Sequence, residues 1–484
     1  MTRQRTKVKF HLPTIEPSSS PPKRRRRKRN RRGKRGIALI MVLGSLAILT
    51  MMLAEFQADT SATLASAMAD RDGVQAEYIA RSAVNLSRLI IAMEPTLRQS
   101  LAPIFMMMQR QPPQLPVWQF ADRLLGPFND KDATKEFGNS IGVDFGTGKN
   151  LGLPDGRFEL KIVDEDAKIN VNLGASNDIA HIRLANEVMA VMSPLQYNPL
   201  FEQRDTSGNY NDRLTICAAM IDWADVDEQQ MNCNTQQTSG VSTSAVEDSY
   251  YQLLAVKPYR RKNAPFDSLE ELHMVRGVSD DFWATFVDPD PTNPDKRVMT
   301  VWGQGAINVN SANAQTLLGV VCSGAPATPM CIDPNQASMF LMGVTMAKGI
   351  TMGAPLFASA QDFIATVKGQ GMIGTVLKGM GLMPVTQFLS EAEFAKTITT
   401  ESKVFSIYAV GVVKGYKRET RLRITTVVDF RATPPLGSGM PMVSQGAGIP
   451  PAAGAAAAQA MQQGAIAAAL QPSTGGTVLY YRIE

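Results

Sequence analysis

The sequence contains a cluster of carboxylates and amides that could bind a metal ion. Its members are Asp222, Asp225, Asp227, Glu247, Asp248 and Asn263. Hard cations such as calcium take six to eight oxygen ligands from carboxylates, amides and carbonyls. Gln229 occupies the next alternate position after Asp227 and no glycine follows, so the segment is not an EF-hand loop. The cluster predicts a calcium site built from several segments; surface acids in solvent and helix caps are the alternative.

Sequence motifs typical of enzymes are absent. The chain has no glycine-rich P-loop, no GxSxG and no HExxH motif. Its three histidines, His11, His181 and His273, lie far apart in sequence and outside any recognised catalytic motif. We therefore expect a protein that acts by binding and assembly and is not an enzyme.

The four cysteines fall into two close pairs along the chain. Cys217 and Cys233 form one pair and Cys322 and Cys331 the other, and neither has the CxxC spacing of redox or zinc motifs. Two local disulfides, which indicate an oxidising compartment, are the natural pairing. Four reduced thiols in a core are the alternative.

Positive charge is concentrated at the N-terminus. The chain has 484 residues and a net charge of +5, but its first 35 residues carry 15 Lys/Arg and one acid, Glu16. The rest of the chain therefore has a net charge of −9. A basic run such as Lys23–Arg29 is typical of a nucleic-acid arm, a nuclear-type address or the cytoplasmic anchor of a membrane segment. With 44% hydrophobic residues, a chain of this length predicts two or three folded units.

An apolar segment follows the basic residues directly. Residues 37–54 contain no charged side chain, and a helix of this length spans about 27 Å, close to the hydrocarbon thickness of a bilayer. The basic flank predicts that the N-terminus stays in the cytoplasm while the rest of the chain lies across the membrane. A cleaved secretory signal, with its exit site near Ala54 or Ala58, and a buried soluble helix are the alternatives.

The apolar segment leads into a longer amphipathic helix. Residues 56–94 contain no proline and one glycine, Gly73, and their apolar residues recur at helical spacing. We expect this helix to pack on a folded domain and to stop at Glu94, because the residue before a proline avoids the α region.

The junction between the basic and apolar segments resembles the leader of a type IV prepilin. It reads Lys34-Arg35-Gly36 and then Ile37-Ala38-Leu39-Ile40. The resemblance implies that a prepilin peptidase cleaves between Gly36 and Ile37. Met41 would then be the fifth residue of the mature chain, where most pilins and pseudopilins carry a glutamate that neutralises the N-terminal amine of a neighbouring subunit.

Three further segments are similar to a family that lacks this glutamate, protein K of the type II (general) secretion pathway. They are residues 76–86, 164–172 and 307–312. Together with the leader they extend the resemblance, in patches, over residues 34–430. A carboxylate in hydrocarbon is costly unless it is paired, and a subunit at a filament tip has no neighbour above it. An apolar Met41 therefore fits a tip; the alternative is an ordinary lipid-facing residue.

The resemblance implies a function, a location and partners. The function is that of a minor pseudopilin that caps the tip of the type II secretion pseudopilus and helps to initiate its assembly for protein export across the outer membrane. The location is the inner membrane of a Gram-negative bacterium, with a single span, a cytoplasmic N-terminus and a periplasmic bulk. The partners are minor pseudopilins I and J, other pseudopilins, the prepilin peptidase, the inner-membrane assembly platform, the lipid bilayer and exported proteins.

The resemblance also bears on the acidic cluster. Members of the protein K family bind calcium in this region, and their Asp-Trp-x-Asp-x-Asp, Glu-Asp and Asn-x-Pro-Phe motifs match this sequence. The resemblance therefore implies calcium as a cofactor, with ligands among Asp225, Asp227, Glu247, Asp248 and Asn263.

Alternating apolar residues predict strands on both sides of a helical block. A strand over 157–164 would point Phe158, Leu160 and Ile162 inward, and two runs between 404 and 430 predict a hairpin. We expect an α+β, pilin-like fold: a long N-terminal helix and a small antiparallel sheet, interrupted by a large inserted α-helical domain, with one transmembrane segment. The expected parts are a cleaved basic leader (1–36), a transmembrane segment (37–54), a pilin-like helix and first strand (55–177), the inserted domain (178–400), a β-hairpin (401–431), a low-complexity mobile loop (432–475) and a terminal strand (476–484).

A helix-hairpin-helix DNA-binding unit is the alternative for the middle of the chain. Ser268–Glu271 is a capping-box pattern, Gly277 is a helix stop, and a second helical pattern follows Ser279. Such a unit would belong to a membrane-anchored competence or type IV pilus component. Asp280 and Asp281 repel phosphate, so the pattern favours a protein-packing unit over binding to nucleic acid.

Overall fold

The computed structural model describes most of the chain. The described residues are 35–107, 111–129, 156–202, 204, 210–234, 243–246, 249–254, 257–351, 353–415, 418–434 and 475–484. The predictions for the basic leader up to residue 34, for Glu247 and Asp248, and for most of the segment 432–475 lie outside them.

The described part of the chain contains helices and strands in mixed order. The α-helices are α1 (Arg35–Met107), α2 (Ala121–Leu124), α3 (Asp178–Met192), α4 (Asn198–Glu202), α5 (Arg213–Asp222), α6 (Ser249–Gln252), α7 (Asp280–Phe282), α8 (Ala314–Gly324), α9 (Pro329–Ile332), α10 (Pro334–Ile350), α11 (Ala360–Val367), α12 (Gly371–Gly379) and α13 (Glu391–Thr397). The strands are β1 (Gly156–Asp164), β2 (Ile169–Asn170), β3 (Gln229–Gln230), β4 (Thr243–Val246), β5 (Met299–Thr300), β6 (Ile307–Asn308), β7 (Ile398–Thr399), β8 (Val404–Lys414), β9 (Glu419–Asp429) and β10 (Thr477–Ile483).

Two compact units divide the chain, Met1–Ala67 and Met68–Glu484. In the first unit the described residues are helical throughout and their large apolar side chains are exposed, for example Ile37 at 61% and Met41 at 66%. One helix of the described chain, Gly36–Pro103, is long and apolar enough to cross a membrane. The predicted long apolar N-terminal helix is confirmed, and it fits a single membrane anchor.

The prediction that this helix stops at Glu94 is wrong, because α1 continues through Pro95. Glu94 is buried, and its Oε1 accepts a hydrogen bond from the Leu115 amide at 3.0 Å. Arg98, one turn later, forms ion pairs with both Glu94 and Glu401. These contacts outweigh the local cost of a proline within a helix.

A four-stranded antiparallel sheet has the strand order β1-β8-β9-β10. Gly156 pairs with Val413 at one end of the β1–β8 ladder, and Asp164 pairs with Phe405 at the other. β8 and β9 form a hairpin, and β10 adds to the free side of β9. The small antiparallel sheet predicted from alternating residues is therefore confirmed.

The part of α1 in the second unit packs on this sheet. Ala76, Ile79, Ala80 and Ala83 are buried and follow one another at helical spacing. They belong to one apolar cluster with side chains from β1, β8 and β9. Three alanines on this face let the helix backbone approach the sheet closely.

The segment between β1 and β8 is mostly helical and has an apolar core of its own. Helix α3 packs against α8, and Leu184, Val188 and Val321 are among the buried residues. The helices predicted for this block are present, while the inserted domain and its boundaries stay predictions.

The two Ile-Asn-Val-Asn segments of the sequence build the same local structure. β2 and β6 each pair in parallel with a two-residue strand, β5 and β7 respectively. In each segment the second asparagine then binds the backbone of a distant phenylalanine through both amide atoms. Asn172 binds Phe266 in this way, and Asn310 binds Phe357. These asparagines thereby tie distant loops together.

Two local predictions differ from the structure. The Pro-, Gly- and polar-rich composition of residues 110–155 predicts a loop, but residues 117–128 form 3-10 turns and α2, with Trp118 and Ala121 buried. Ser268 makes no capping hydrogen bond, and the residues after it form a 3-10 helix, so the capping box is wrong. Gly277 does turn the chain, with a φ of 83°.

The two disulfides follow the predicted local pairing. One joins Cys217 to Cys233 and the other joins Cys322 to Cys331. The Cys217–Cys233 disulfide ties α5 to the chain that follows the acidic residues 222–227. All four cysteines of the sequence are therefore bonded.

Candidate functional site

The acidic cluster begins at the C-terminal end of α5. Asp212 caps this helix by accepting a hydrogen bond from the Thr215 amide at 2.8 Å, and most of the residues that follow are buried and apolar. The chain then leaves the helix in a turn in which the Ala224 and Asp225 amides both donate to the Ile221 carbonyl. This turn places residues 222–227 at the edge of the helical core.

Two carboxyl groups of the cluster are buried. The Asp222 Oδ1 atom accepts a hydrogen bond from the Met231 amide at 2.8 Å. Burial, with smaller contributions from the nearby Asp225 and Asp227 charges, raises the pKa of Asp222 to about 8. Burial, followed by the Asp227 charge, raises the pKa of Asp225 to about 7. The turn therefore concentrates more negative charge than its surroundings neutralise.

A buried guanidinium holds the backbone of the turn. Arg261 donates from Nη1 to the Asp222 carbonyl at 2.6 Å and from Nη2 to the Asp227 carbonyl at 2.9 Å. Its Nη1 also lies 3.5 Å from the Asp225 Oδ1 atom. Among the described residues that Oδ1 atom accepts no hydrogen bond. Arg261 is not among the site residues predicted from the sequence. The basic run Arg260-Arg261-Lys262, directly before Asn263, is the signal that could have indicated a role for it.

Asn263 comes to the same turn through its backbone. Its amide donates to the Trp223 carbonyl at 3.1 Å, and its φ of 50° lies in the left-handed region that asparagine tolerates. The Asn263 Oδ1 atom is buried and has no hydrogen-bond partner among the described residues. The Trp223 side chain of this turn packs against other aromatic rings. Its ring centroid lies 5.6 Å from that of Tyr251 and 6.4 Å from that of Phe266.

The predicted calcium ligands differ in their burial and in their hydrogen bonds. Asp225 and Asn263 each have a buried side-chain oxygen that accepts no hydrogen bond from the described residues, whereas Asp227 is exposed and its Oδ1 accepts from the Gln229 amide at 2.7 Å. Glu247 and Asp248 lie outside the described residues. Within the described ranges no three His, Cys, Asp or Glu side chains are grouped so as to hold a metal ion. The donor atoms present are all oxygens, and two of them accept no hydrogen bond from the described residues, which fits a hard cation such as calcium.

The residues of the predicted leader junction lie in the first unit. α1 begins at Arg35, and Ile37 and Met41 are exposed on it. Cleavage between Gly36 and Ile37, and the role of Met41, stay predictions.

No family model and no curated protein matches the chain. Among solved structures the chain is similar to one in "The Crystal Structure of the GspK-GspI-GspJ complex from enterotoxigenic Escherichia coli Type 2 Secretion System". The two share 15% sequence identity over 57% of this chain and 76% of that chain, with a TM-score of 0.33. We draw no argument from a likeness of this degree. The long apolar helix and the small antiparallel sheet are, by themselves, consistent with a pilin-like fold.

Proposed function

We propose that this protein is a minor pseudopilin that caps the tip of a type II secretion pseudopilus and helps to initiate its assembly for export across the outer membrane. The observation that carries the proposal is the start of α1. A charge-free segment of exposed apolar side chains follows Lys34-Arg35-Gly36 directly and belongs to a helix that runs without a break to Met107. A secretory signal would instead be removed after its apolar region, within this helix.

The residue at position 41 supports the tip location. A glutamate there would need the N-terminal amine of a neighbouring subunit to offset its desolvation in the membrane. Met41 needs no partner, and a terminal subunit has none. The same subunit would therefore be tolerated at the end of a helical filament, where an unpaired carboxylate would be costly.

The charge pattern and the disulfides support the location. The basic residues before Gly36 favour a cytoplasmic N-terminus and an inner-membrane span, with the second unit in the periplasm. Two disulfides fit that oxidising compartment. The proposed partners are minor pseudopilins I and J and other pseudopilins, the prepilin peptidase, the assembly platform and exported proteins.

The N-terminus of the membrane-extracted chain tests the class of protein. We expect it to begin at Ile37, and we expect Gly36→Leu to keep its leader because the prepilin-like junction places the cut directly after this glycine. Intact mass and N-terminal sequencing measure both. Gly44→Leu is the matched control: Gly44 lies in the same helix with no atom near its Cβ position, and this variant should still be processed.

Two results would contradict the proposal. A wild-type chain that starts at Met1, or that starts near Ala54 or Ala58, is not a pseudopilin. Immunogold labelling of assembled filaments tests the tip assignment separately, because a cap gives label at one end only, whereas label along the whole filament excludes a cap.

We further propose that the turn after α5 binds calcium. Asp225 and Asn263 supply side-chain oxygens, and Asp227, Glu247 and Asp248 are the further candidates. The support is chemical: the buried Oδ1 atoms of Asp225 and Asn263 accept no hydrogen bond from the described residues, and burial raises the pKa values of Asp222 and Asp225 although Arg261 lies nearby. A bound divalent cation would neutralise this charge and would link the turn to the chain before Phe266.

Calorimetric titration of calcium into the full-length chain in non-ionic detergent tests this site. Asp225→Asn and Asn263→Gly should each weaken binding by at least about tenfold, roughly 1.4 kcal/mol. Glycine is chosen at 263 because it keeps the left-handed backbone while removing the amide oxygen. Asp281→Asn, an exposed acid elsewhere, should leave the affinity unchanged.

Two outcomes would exclude calcium at this turn. One is absence of a calcium isotherm with the wild-type chain. The other is wild-type affinity in the Asp225→Asn and Asn263→Gly variants. Asp227→Ala and Glu247→Ala then decide which of the further candidates are ligands.

A further inference from the structure

A cleft of about 390 Å³ opens in the helical part of the second unit, next to Cys233. Its walls are α3, the end of α8, the start of α13 and residues 231–234. Apolar side chains are exposed along it: Ile179 is 70% accessible, Leu389 68% and Ile182 38%. Exposed large apolar residues around a concave surface are typical of a binding site.

A single buried carboxyl group belongs to the lining of this cleft. Glu187 is 1% exposed, and neither of its carboxyl oxygens has a hydrogen-bond partner among the described residues. Arg183 lies one helical turn before it on α3, yet the two side chains form no ion pair. Burial raises the pKa of Glu187 to about 8, and the Arg183 charge opposes this only in part.

A buried carboxyl group without a hydrogen-bond partner at this position lowers the free energy of unfolding. A buried acceptor without a donor loses the hydrogen bonds that it made with water, and an aliphatic residue of similar size would avoid that loss. A ligand that brings N–H donors into the cleft would restore them. The pattern of an apolar mouth and one buried acid matches a ligand with an apolar stem and one cationic end.

We propose that this cleft binds an aliphatic primary amine, either as a free small molecule or as the side chain of a lysine. The ammonium group pairs with the Glu187 carboxylate, and its methylene groups lie against Ile182 and Leu389. An ammonium carries three N–H donors, which suits a site where two acceptor oxygens lack partners. This inference is independent of the proposed role in secretion.

Binding of the amine must be linked to a proton. Glu187 gives up its proton to solvent when the ammonium arrives, so affinity rises with pH until the carboxyl group is ionised in the free protein. The described charged groups that face the cleft are Arg183 from α3 and Glu393 from α13. With a pKa of about 8, the ionised fraction of Glu187 rises from about 1% at pH 6 to about 50% at pH 8. Affinity should therefore increase about 50-fold over this interval.

The test uses calorimetry on the full-length chain in non-ionic detergent at pH 6 and pH 8. The probes are n-butylamine, for the free amine, and Nα-acetyl-lysine methylamide, for the lysine side chain. Nα-acetyl-norleucine methylamide is the uncharged control. We expect binding of one or both amines at pH 8, at least tenfold weaker binding by Glu187→Gln, and no binding of the norleucine compound. Glu391→Gln, on α13 and outside the cleft, should bind like the wild type.

Three results would overturn the proposal. They are an affinity for the norleucine compound that equals or exceeds that for both amines, wild-type affinity in Glu187→Gln, and affinity for the amines that does not change between pH 6 and pH 8. The pH arm uses the wild-type chain alone, so it decides the question even if the variant is unstable. Binding of butylamine but not of the lysine compound would support the site and assign it to free amines.

Discussion

Gly411→Val should prevent the second unit from reaching its native packing, and Gly411→Ala should lower its free energy of unfolding by about 3 kcal/mol or more. Gly411 lies in β8, directly under α1. A Cβ atom at this position would overlap the Ala76 carbonyl oxygen, and it would lie 2.8 Å from the Ala76 carbonyl carbon and 3.0 Å from the Ala80 amide nitrogen. The obstructing atoms are helix backbone, so no side-chain rotation relieves the overlap.

Denaturant unfolding followed by tryptophan fluorescence measures this effect. Trp118 is a suitable reporter because its ring lies 4.8 Å from Phe405 in the same apolar cluster. Gly349→Ala is the matched control, since Gly349 lies near the exposed end of α10 with no atom within 4 Å of a Cβ position. The control should be neutral or stabilising by up to about 1 kcal/mol. A Gly411→Ala chain as stable as this control would show that helix and sheet are not in such close contact.

Much of the sheet and of the long helix follows from local patterns in the sequence. Residues 157–164 and 404–430 alternate because one side of each strand faces α1, and the charge-free run 37–54 stands out by composition alone. The stop predicted at Glu94 failed because the competing contacts come from Leu115 and Glu401, which no local pattern reveals. Proline lowers the stability of a helix, but tertiary contacts decide the outcome.

The residues of the candidate sites could also be predicted from the sequence only in part. The acids of the turn after α5 are evident in the sequence, but the guanidinium of Arg261 and the unpaired oxygen of Asn263 appear only when residues 222–227 and 261–263 are brought together. Glu187 gives no signal in the sequence. An acid on an amphipathic helix is ordinarily exposed, and its burial here depends on residues from α8, α13 and the chain near Cys233.

Asp166→Ala should lower the free energy of unfolding by about 3 to 5 kcal/mol. The Asp166 carboxylate accepts three backbone hydrogen bonds, from Gln304 at 2.7 Å, from Lys403 at 2.6 Å and from Val404 at 3.1 Å. It thereby fixes the end of β1 to the start of β8 and to the loop before β6. Alanine leaves these amides without acceptors in a largely buried region, where water does not readily replace the carboxylate.

Asp290→Ala is the matched control for this variant. The Asp290 carboxylate also accepts three hydrogen bonds, two from Thr292 and one from Lys296, but it lies at the surface. Solvent can satisfy those donors. Asp290→Ala should therefore lower the free energy of unfolding much less than Asp166→Ala does in the same denaturant series. Equal losses in the two variants would mean that burial of the Asp166 contacts contributes nothing to stability.

The destabilisation caused by Asp166→Ala should also depend on pH, because the Asp164 carboxyl group lies close to Asp166. Burial is the main cause that raises the pKa of Asp164 to about 7 and that of Asp166 to about 6, and the Asp166 charge contributes to the increase for Asp164. The folded state therefore holds protons that the unfolded chain, with aspartate pKa values near about 4, has released. The contribution of this pair to the free energy of unfolding falls as pH rises from about 4 to about 7, since the two groups bind fewer protons in the unfolded state over that interval. Removing Asp166 removes the repulsion that operates when both groups are ionised. The destabilisation by Asp166→Ala should consequently be smaller at pH 8 than at pH 5, and a destabilisation that is constant or larger at pH 8 would contradict this coupling.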